Sequence, residues 1–369
     1  MKKVAVITRH AIANYGSLLQ AFATEELIRQ LGHDPLIIDY CPKQEHLPQR
    51  ETLLLASKPN WSSNPVKRLI YLALRLPPAY WADARFARER RALLAMSRPY
   101  GSAALLESSP PQADIYLTGS DQVWGPIAGG SMDKAYCLSF APQDGICISF
   151  AASFGKSDFV QANQDAFSSL LSRYRMISVR EDSGITQLAQ MGIPAVQVLD
   201  PTLMLSENDW EPFGATRPLK QDYVLVYQLH NNPELNAYAK RAARELGLPL
   251  VRLSASLHQI SRGGRFVYLP DSHTFLSYIR HARCVITDSF HATAFSINFS
   301  TPFVNILSPE QNTDRIMSLL RLTGLKQRLL SSPADTALAA APVDFTNAHA
   351  ALSHAREKSL IQLRNAIEC

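Results

Sequence analysis

The chain has 369 residues, of which 46% are hydrophobic and 19% charged, with a net charge of +5 at pH 7. This length fits two domains better than one, and the composition is that of a globular protein. The apolar run at residues 4–7 is too short for a signal peptide or a membrane span, so we expect a cytoplasmic protein. The cysteines form no C-x-x-C pair and the histidines show no metal-ligand spacing. We therefore expect reduced core cysteines and no metal site.

Positive charge is concentrated between residues 67 and 98, where eight basic residues stand against two acidic ones. Apolar and aromatic residues alternate with the arginines, which is typical of a helix at a membrane interface or of an arm facing an anion. A solvated pair of helices, with arginines lying along apolar surface, is the alternative interpretation. Nucleic-acid binding is not expected, because the basic residues form one patch without a recognised motif.

Short apolar runs alternate with amphipathic stretches in the first half of the chain, a pattern typical of parallel sheets with crossover helices. The helical spacing at 18–31 predicts a helix that ends at Gly32. The segment LDPTLMLSENDW, residues 199–210, predicts an extended link between the two halves. The predicted strands of this half are 4–8, 36–39, 115–118, 146–151, 176–179 and 195–199.

The same alternation restarts after the link. The predicted strands are 223–228, 250–253, 266–269, 284–287 and 303–306, and the predicted helices are 233–246, 272–281 and 347–367. We therefore predict an α/β protein of two doubly wound, Rossmann-like domains facing a cleft. Residues 1–205 would form the acceptor side with the basic helical arm 67–98, residues 206–345 the donor side, and residues 346–369 a helix packing back on the first domain.

Ligands of open α/β sheets bind beyond the carboxyl ends of the strands, so the polar residues that follow each strand are candidates for a site. After the first strand, Gly16 and Ser17 precede a helix and can offer N–H groups to an anion. Alternatively, Ser17 only caps that helix. The segment contains no G-x-G-x-x-G fingerprint of a dinucleotide site.

The third strand is followed by TGSDQVW, residues 118–124. Asp121 can accept a sugar hydroxyl or a proton there, and Gln122 and Trp124 are residue types that contact carbohydrates. The alternative is a turn closed by the aspartate side chain. The fourth strand ends in FAASFG, residues 150–155, whose small side chains allow a ligand to come near.

The fifth strand ends in SVRED, which places Arg180 at its tip. An arginine in this position either pairs with Glu181 or Asp182, or binds a phosphate or carboxylate with two parallel donors. The sequence leaves both interpretations open.

The second half places His291 between a strand and a short apolar helix, in CVITDSFHATAFSINF. Asp288 and Ser289 already supply the cap of that helix, so capping does not require a histidine. Histidine is the side chain best suited to carry a proton near neutral pH. The alternative is a core histidine bonded to a neighbouring carbonyl.

Seven segments together resemble the polysaccharide pyruvyltransferase family. In chain order they are NYGSLLQAFATEELIRQLGHDPLIIDY, ADIYLTGSDQVW, ISFAASFG, SVRE, VLDPTLML, TDSFHATAFSINFSTPFV and TDRIMSLLRLTGL, between residues 14 and 325. The resemblance implies a fold like that of the two-domain B-type glycosyltransferases. It also implies transfer of pyruvyl from phosphoenolpyruvate (PEP) to two hydroxyls of one sugar, with release of phosphate. The implied acceptors are surface-polysaccharide precursors, often carried on a polyprenyl diphosphate, and no cofactor or obligatory metal is implied beyond PEP as co-substrate.

The resemblance places the family's second-half histidine on His291 and its first-half arginine on Arg180. Two positions depart from the family pattern. Many members have arginine two residues before the histidine, where this chain has Ser289, which removes one candidate group for holding the donor. The residue after the histidine is commonly glycine and here is Ala292.

We accordingly predict three catalytic side chains: His291 as proton carrier, Arg180 holding the donor's anionic groups and Asp121 orienting the acceptor. The predicted substrate-binding residues are Asn14, Tyr15, Gly16, Ser17, Gly119, Ser120, Gln122, Trp124, Ser153, Phe154, Gln228, His230, Ser289 and Phe290. The expected partners are PEP, a sugar or lipid-linked oligosaccharide, and peripherally the inner face of the membrane. A B-type glycosyltransferase using a nucleotide sugar and a non-catalytic glycan-binding module are the alternative functions.

Overall fold

The computed structural model describes residues 1–155, 157–307, 313–332 and 335–369. By the contacts between residues, the chain divides into two compact units. The first comprises residues 1–201 together with 359–369, and the second comprises residues 202–358.

The first unit alternates strands and helices. They are β1 (Lys3–Ile7), α1 (Tyr15–Gln30), β2 (Asp34–Ile37), α2 (Gln49–Ala56), α3 (Pro59–Ser62), α4 (Pro65–Leu93), α5 (Ala103–Ser108), β3 (Ile115–Thr118), β4 (Ile146–Ser149), α6 (Ser157–Ala162), α7 (Gln164–Leu171), β5 (Tyr174–Met176), β6 (Ser178–Val179), α8 (Asp182–Gln190) and β7 (Val196–Gln197). Five strands form a parallel sheet in the order β2-β1-β3-β4-β5, and β6 pairs with β7 in a small separate sheet. Strand β3 is buried at every residue, as expected of a parallel strand whose two faces are covered.

The second unit repeats this alternation. Its elements are α9 (Pro201–Met204, whose first residue belongs to the first unit), α10 (Glu207–Gly214), β8 (Val224–Tyr227), α11 (Pro233–Glu245), β9 (Leu250–Ser254), β10 (Arg265–Tyr268), α12 (Ser272–Arg280), β11 (Cys284–Thr287), α13 (Phe290–Asn298), β12 (Phe303–Asn305), α14 (Asp314–Leu322), α15 (Ala337–Ala340) and α16 (Thr346–Glu368, which ends in the first unit). The sheet is again wholly parallel, in the order β10-β9-β8-β11-β12. The apolar side chains of β8, β11 and α11 form its core.

These two parallel sheets confirm the predicted fold class, and the predicted strands at 115–118 and 284–287 coincide with β3 and β11. The predicted strand at 176–179 is split: β5 belongs to the large sheet and β6 to the small one. The boundary between the two units falls within 199–210, where the sequence predicts a link, but the predicted extended conformation of that segment is wrong. Its proline begins α9, and Ser206 and Asp209 form a reciprocal capping box that starts α10.

Candidate active site

The strand order of each sheet indicates where a ligand can bind. Winding reverses between β1 and β3 in the first sheet and between β8 and β11 in the second. In open α/β sheets the crevice beyond the carboxyl ends of the strands at such a reversal is the usual ligand site. Each unit therefore has one candidate ligand site. In the first it is formed by the residues after β1 and β3, and in the second by the residues after β8 and β11.

Hydrogen bonds join the ends of β1 and β3. Thr8 donates its hydroxyl to the carbonyl of Ser120 at 2.7 Å and accepts from the Gln20 amide at 2.8 Å. Gly119 allows this approach, because a Cβ at that position would lie 3.2 Å from side-chain atoms of Val6 and Thr8. The loop after β3 is thus held tightly against the end of β1.

Asp121 follows directly in that loop and adopts a left-handed backbone conformation, with φ of 76°. Its Oδ1 accepts from the Gln122 N–H at 2.8 Å, and its Oδ2 accepts from the Ser17 hydroxyl at 2.5 Å. Aspartate tolerates this conformation better than most residues, since its short carboxylate can bond the local backbone. The predicted turn closed by the aspartate is therefore present, and it leaves the carboxylate bridged to α1.

Arg180 lies at the centre of a buried cluster of carboxylates. Its guanidinium contacts Asp200 at 2.6 Å, Asp121 at 3.4 Å and Glu181 at 3.6 Å, and it also donates to the Ser120 hydroxyl at 3.2 Å. Burial opposes the charged guanidinium, but the carboxylates outweigh it, so the pKa of Arg180 is raised above its ordinary value. Of the two interpretations of Arg180, the geometry favours ion pairing within the chain. Glu181, one of the two predicted partners, lies at 3.6 Å, but the shortest contact is with Asp200, which was not predicted.

The members of this cluster differ in their exposure to solvent. The side chains of Arg180 and Asp200 are each 1% exposed, whereas that of Asp121 is 10% exposed. Asp121 is therefore the least buried carboxylate of this cluster, and its contact with Arg180 holds it in place. Asp200 was missed in the sequence because it begins the segment that we interpreted as a link.

Arg9, at the end of β1, was also missed. It donates to the carbonyls of Pro126 at 3.1 Å and Gln122 at 3.4 Å, and it forms an ion pair with Glu45. Burial opposes its charge, but Glu45 and other groups including Asp121 raise its pKa. The sequence signal for Arg9 is its position one residue beyond the predicted strand 4–8, and two residues beyond β1 as the structure has it.

The N-terminus of α1 is capped by Asn14 and not by Ser17. The Asn14 carbonyl Oδ1 accepts from the N–H groups of Gly16 at 2.8 Å and Ser17 at 3.3 Å. Those two donors, which we considered for an anion, are thus engaged within the chain. Tyr15 is buried with its ring 4.9 Å from that of Phe86 in α4.

Two predicted sugar contacts lie in the hydrophobic core of the first unit. Trp124 and Phe154 are each 1% exposed, with ring centroids 4.9 Å apart, and the Trp124 indole donates to the carbonyl of Tyr136. Ser153 is also fully buried and accepts at its backbone carbonyl from Trp124. Gln122 stays partly exposed beside Asp121. The structure therefore brings Ser17, Ser120, Asp121 and Arg180 together and places the two rings behind them.

In the second unit Asp288 organises the reversal between β8 and β11. Its carboxylate accepts from the backbone N–H groups of Leu229 at 2.7 Å and His230 at 2.9 Å, and it lies 3.2 Å from Nδ1 of His230. Gln228 completes the loop by donating to the carbonyls of His230 and Asn232, both at 2.9 Å. Asp288 therefore shapes the loop after β8 and does not cap the helix after β11.

That helix, α13, is capped by Ser289, whose hydroxyl accepts from the Ala292 N–H at 3.4 Å. His291 lies in its first turn and is 7% exposed, with its ring edge-on to that of Phe290 at 5.1 Å. The prediction that the cap does not need the histidine is confirmed. His291 thus stands at the edge of the sheet where the second unit would take a ligand.

Two further kinds of feature are absent from the described residues. No helix within them is long and apolar enough to cross a membrane. The same residues contain no group of three or more histidine, cysteine, aspartate or glutamate side chains that could hold a metal ion.

Comparison with known families identifies the chain. The model of the polysaccharide pyruvyl transferase family matches residues 14–309, which span both reversal points. The chain belongs to this family. Its members are transferases that act on polysaccharides. None of the curated proteins compared with the sequence matches it.

Solved structures show the same fold at low identity. UDP-GlcNAc 2-epimerase from Neisseria meningitidis, bound to UDP-GlcNAc, is 13% identical, with 92% of this chain and 89% of that chain covered and a TM-score of 0.51. The corresponding enzyme from Rickettsia bellii is 14% identical over 98% of this chain and 96% of that chain, with a TM-score of 0.49. The glycosyltransferase SnogD from Streptomyces nogalater is 11% identical, with 97% of this chain and 94% of that chain covered and a TM-score of 0.47. At 13% identity, the likeness to the Neisseria meningitidis enzyme shows the fold alone.

Proposed function

We propose that this polysaccharide pyruvyl transferase family member transfers pyruvyl from PEP to two hydroxyls of one sugar in a surface-polysaccharide precursor, forming a cyclic ketal. The family match over residues 14–309 carries this proposal. The sites in the two units support it, because the reaction needs a proton carrier, a group that orients hydroxyls and cations for the donor. No cofactor is required by this chemistry.

The reaction balances without a further reagent. A proton added to the methylene carbon of PEP makes the methyl group and leaves the neighbouring carbon electron-poor. One sugar hydroxyl attacks that carbon, the bond to the phosphate oxygen breaks, and the second hydroxyl closes the ketal. The two hydroxyls release two protons. One restores the proton that the carrier gave to the methylene carbon, and the other leaves on inorganic phosphate.

We assign the proton delivery to His291, from the first turn of α13. We assign the orientation of the acceptor hydroxyls to Asp121, because it is the least buried carboxylate of its cluster. Arg180, which we predicted to hold the donor, has the geometry of a positioning residue for Asp121 through its contacts with Asp121 and Asp200.

The donor is tested by thermal stability in the presence of ligands. We expect PEP to raise the melting temperature of the protein and nucleotide sugars to leave it unchanged. At about 100 times its dissociation constant a ligand stabilises the folded state by about 2.7 kcal/mol, which is readily measured. Stabilisation by a nucleotide sugar or nucleoside diphosphate, with no effect of PEP, would instead support the glycosyltransferase alternative.

We also propose that α4 binds an anionic membrane surface. One face of this helix is buried through Tyr71, Ala82 and Phe86. The opposite face carries large apolar side chains that remain exposed. They are Val66, Leu69, Ile70 and Leu74, at spacings of three and four residues, and Tyr80 and Trp81 further along the helix. Leu69 is 71% exposed and Trp81 is 62% exposed, far beyond what a solvated helix requires.

The charges on α4 match this surface. Arg75 pairs with Glu51 at 3.2 Å, and Arg90 donates to the Ala11 carbonyl at 3.2 Å, so neither is available to lipid. The exposed cations are Lys67, Arg68, Arg88 and Arg91. By helical geometry Arg88 and Arg91 continue the apolar face. An apolar stripe ending in arginines is the pattern of a helix that lies in the interface of an anionic membrane.

The replacement of Arg88 and Arg91 by glutamine is expected to weaken binding to vesicles that contain anionic lipid. Each cation near such a surface contributes about 1 kcal/mol, so two correspond to a loss on the order of 30-fold at low salt. Vesicle co-sedimentation measures this loss. The control is the same pair of changes at Arg244 and Arg265, which are exposed cations outside α4.

The contribution of the exposed apolar side chains of α4 is tested by a double variant, Leu69→Gln with Trp81→Gln. The control is Ile361→Gln, since Ile361 is an exposed apolar residue of α16. We expect only the α4 changes to lower vesicle binding. Equal binding of all variants would show that this face of α4 has another role.

A further inference from the structure

The second unit contains a fully buried cation with neutral partners. Arg252, on β9, donates to the Asn236 amide oxygen at 2.6 Å, to the Gly263 carbonyl at 3.3 Å and to Oε1 of Gln228 at 3.4 Å. Among the residues that the structure describes, no carboxylate forms an ion pair with it. A buried charge with only neutral partners is costly, so an anion nearby would stabilise this arrangement.

A second guanidinium lies beside it. Arg262 ends the short 3₁₀ turn Leu257–Arg262 and donates through Nη2 to the Asn231 side chain at 3.1 Å. Its Nη1 is buried and finds no acceptor within the described parts of the chain. Burial, and then the charge of Arg262, lower the pKa of Arg252 to about 10. Burial likewise lowers the pKa of Arg262, which the nearby carboxylate of Asp288 partly opposes.

These contacts place Arg262 at the predicted ligand edge of the second sheet. Asn231, which Arg262 contacts, belongs to the loop after β8. Asp288, whose charge raises the pKa of Arg262, follows β11, so Arg262 lies near both sides of the reversal point. Lys240 adds a third positive charge: its Nζ would lie 3.6 Å from a Cβ placed on Gly263. Three cations, from α11, β9 and the 3₁₀ turn, thus lie around Gly263. Asp288, the carboxylate whose charge acts on Arg262, already accepts two backbone N–H groups.

We infer that Arg262 binds the phosphate of a phosphorylated ligand, with Arg252 supporting it from the core. Nη1 supplies a charge-assisted donor, and the guanidinium suits a phosphate because it offers donors in a fixed fork. This inference rests on the proposed function, in which the ligand is the phosphate monoester PEP. Arg262 would also give the second unit a guanidinium for the donor, which many family members have two residues before the histidine and which Ser289 replaces in this chain.

The inference is tested by equilibrium binding of PEP, measured by calorimetry without acceptor. Loss of a hydrogen bond to a charged group weakens binding on the order of 10- to 100-fold, and we expect this for Arg262→Gln. Arg262→Lys keeps the charge without the fork and is expected to bind with intermediate affinity. Arg244→Gln, an exposed arginine of α11, is the matched control and should bind PEP like the wild type.

Separate outcomes distinguish the inference from the proposed function. If the wild type binds PEP and both Arg262 variants bind it equally well, the phosphate site is elsewhere and the proposed function stands. If the wild type binds uridine diphosphate and not PEP, and Arg262→Gln weakens that binding, the site stands and the proposed function fails. If the wild type binds neither compound, both are overturned. Should Arg262→Gln not fold, Arg262→Lys alone decides between these outcomes.

Discussion

Replacing His291 by asparagine is expected to lower the turnover of pyruvyl transfer by about 100-fold or more, the usual loss when a positioned acid or base is removed. Asparagine keeps a polar side chain of similar reach in the first turn of α13, but it cannot carry a proton at neutral pH. Because His291 does not cap the helix, the fold is expected to persist. Phosphate release measures turnover, and calorimetry measures PEP binding, which should change little.

The control for this prediction is His281→Asn, which removes an imidazole at the end of α12 that contacts the Gly214 carbonyl at 3.2 Å. We expect that variant to keep the turnover of the wild type. Substantial turnover by the His291 variant would assign the proton to another group. Loss of its folded structure would make His291 a core residue, as in the alternative interpretation of the sequence.

Replacing Arg180 by glutamine is expected to destabilise the protein by about 3–5 kcal/mol, the scale observed when one partner of a buried ion pair is removed. The change leaves Asp200 and Glu181 as buried carboxylates around a neutral side chain. Urea unfolding followed by tryptophan fluorescence measures the effect, since Trp124 is buried in the same unit.

Two further variants show whether that loss comes from the uncompensated charge. Adding Asp200→Asn to Arg180→Gln removes one of the buried carboxylates that Arg180→Gln leaves without a cation, and it should recover part of the stability. Arg217→Gln breaks an ion pair with Asp222 in which both side chains are about half exposed, at 47% and 56%, and should cost less than about 1 kcal/mol. If Arg180→Gln kept the stability of the wild type and raised the Michaelis constant for PEP, Arg180 would instead hold the donor.

The periodicity of apolar residues predicted the sheets well, because parallel strands covered on both faces must be continuous apolar runs. It failed at 199–210, where Pro201 was interpreted as a sign of extended chain. Proline is equally suited to the first turn of a helix, and the capping box at Ser206 gives the stronger local signal there.

The sequence predicted where the candidate site residues lie better than it predicted which residues they contact. The rule that ligands bind beyond strand ends selected Asp121, Arg180 and His291, and the structure places all three at such ends. It could not show that Asp200 pairs with Arg180, since that contact joins residues 20 apart. Nor could it separate Trp124, a core residue, from a carbohydrate contact, because burial depends on tertiary packing.

The residues at the end of α16 have a consequence for how the protein is made. Leu363 and Ile367 are fully buried in the first unit, and the Lys2 ammonium donates to the carbonyl of Ile367 at 2.6 Å. The core of that unit therefore remains open until residues 359–369 have been synthesised, long after the strands it covers. During translation of the whole second unit, the apolar surface that Leu363 and Ile367 will cover stays exposed, and such surface favours aggregation of a nascent chain.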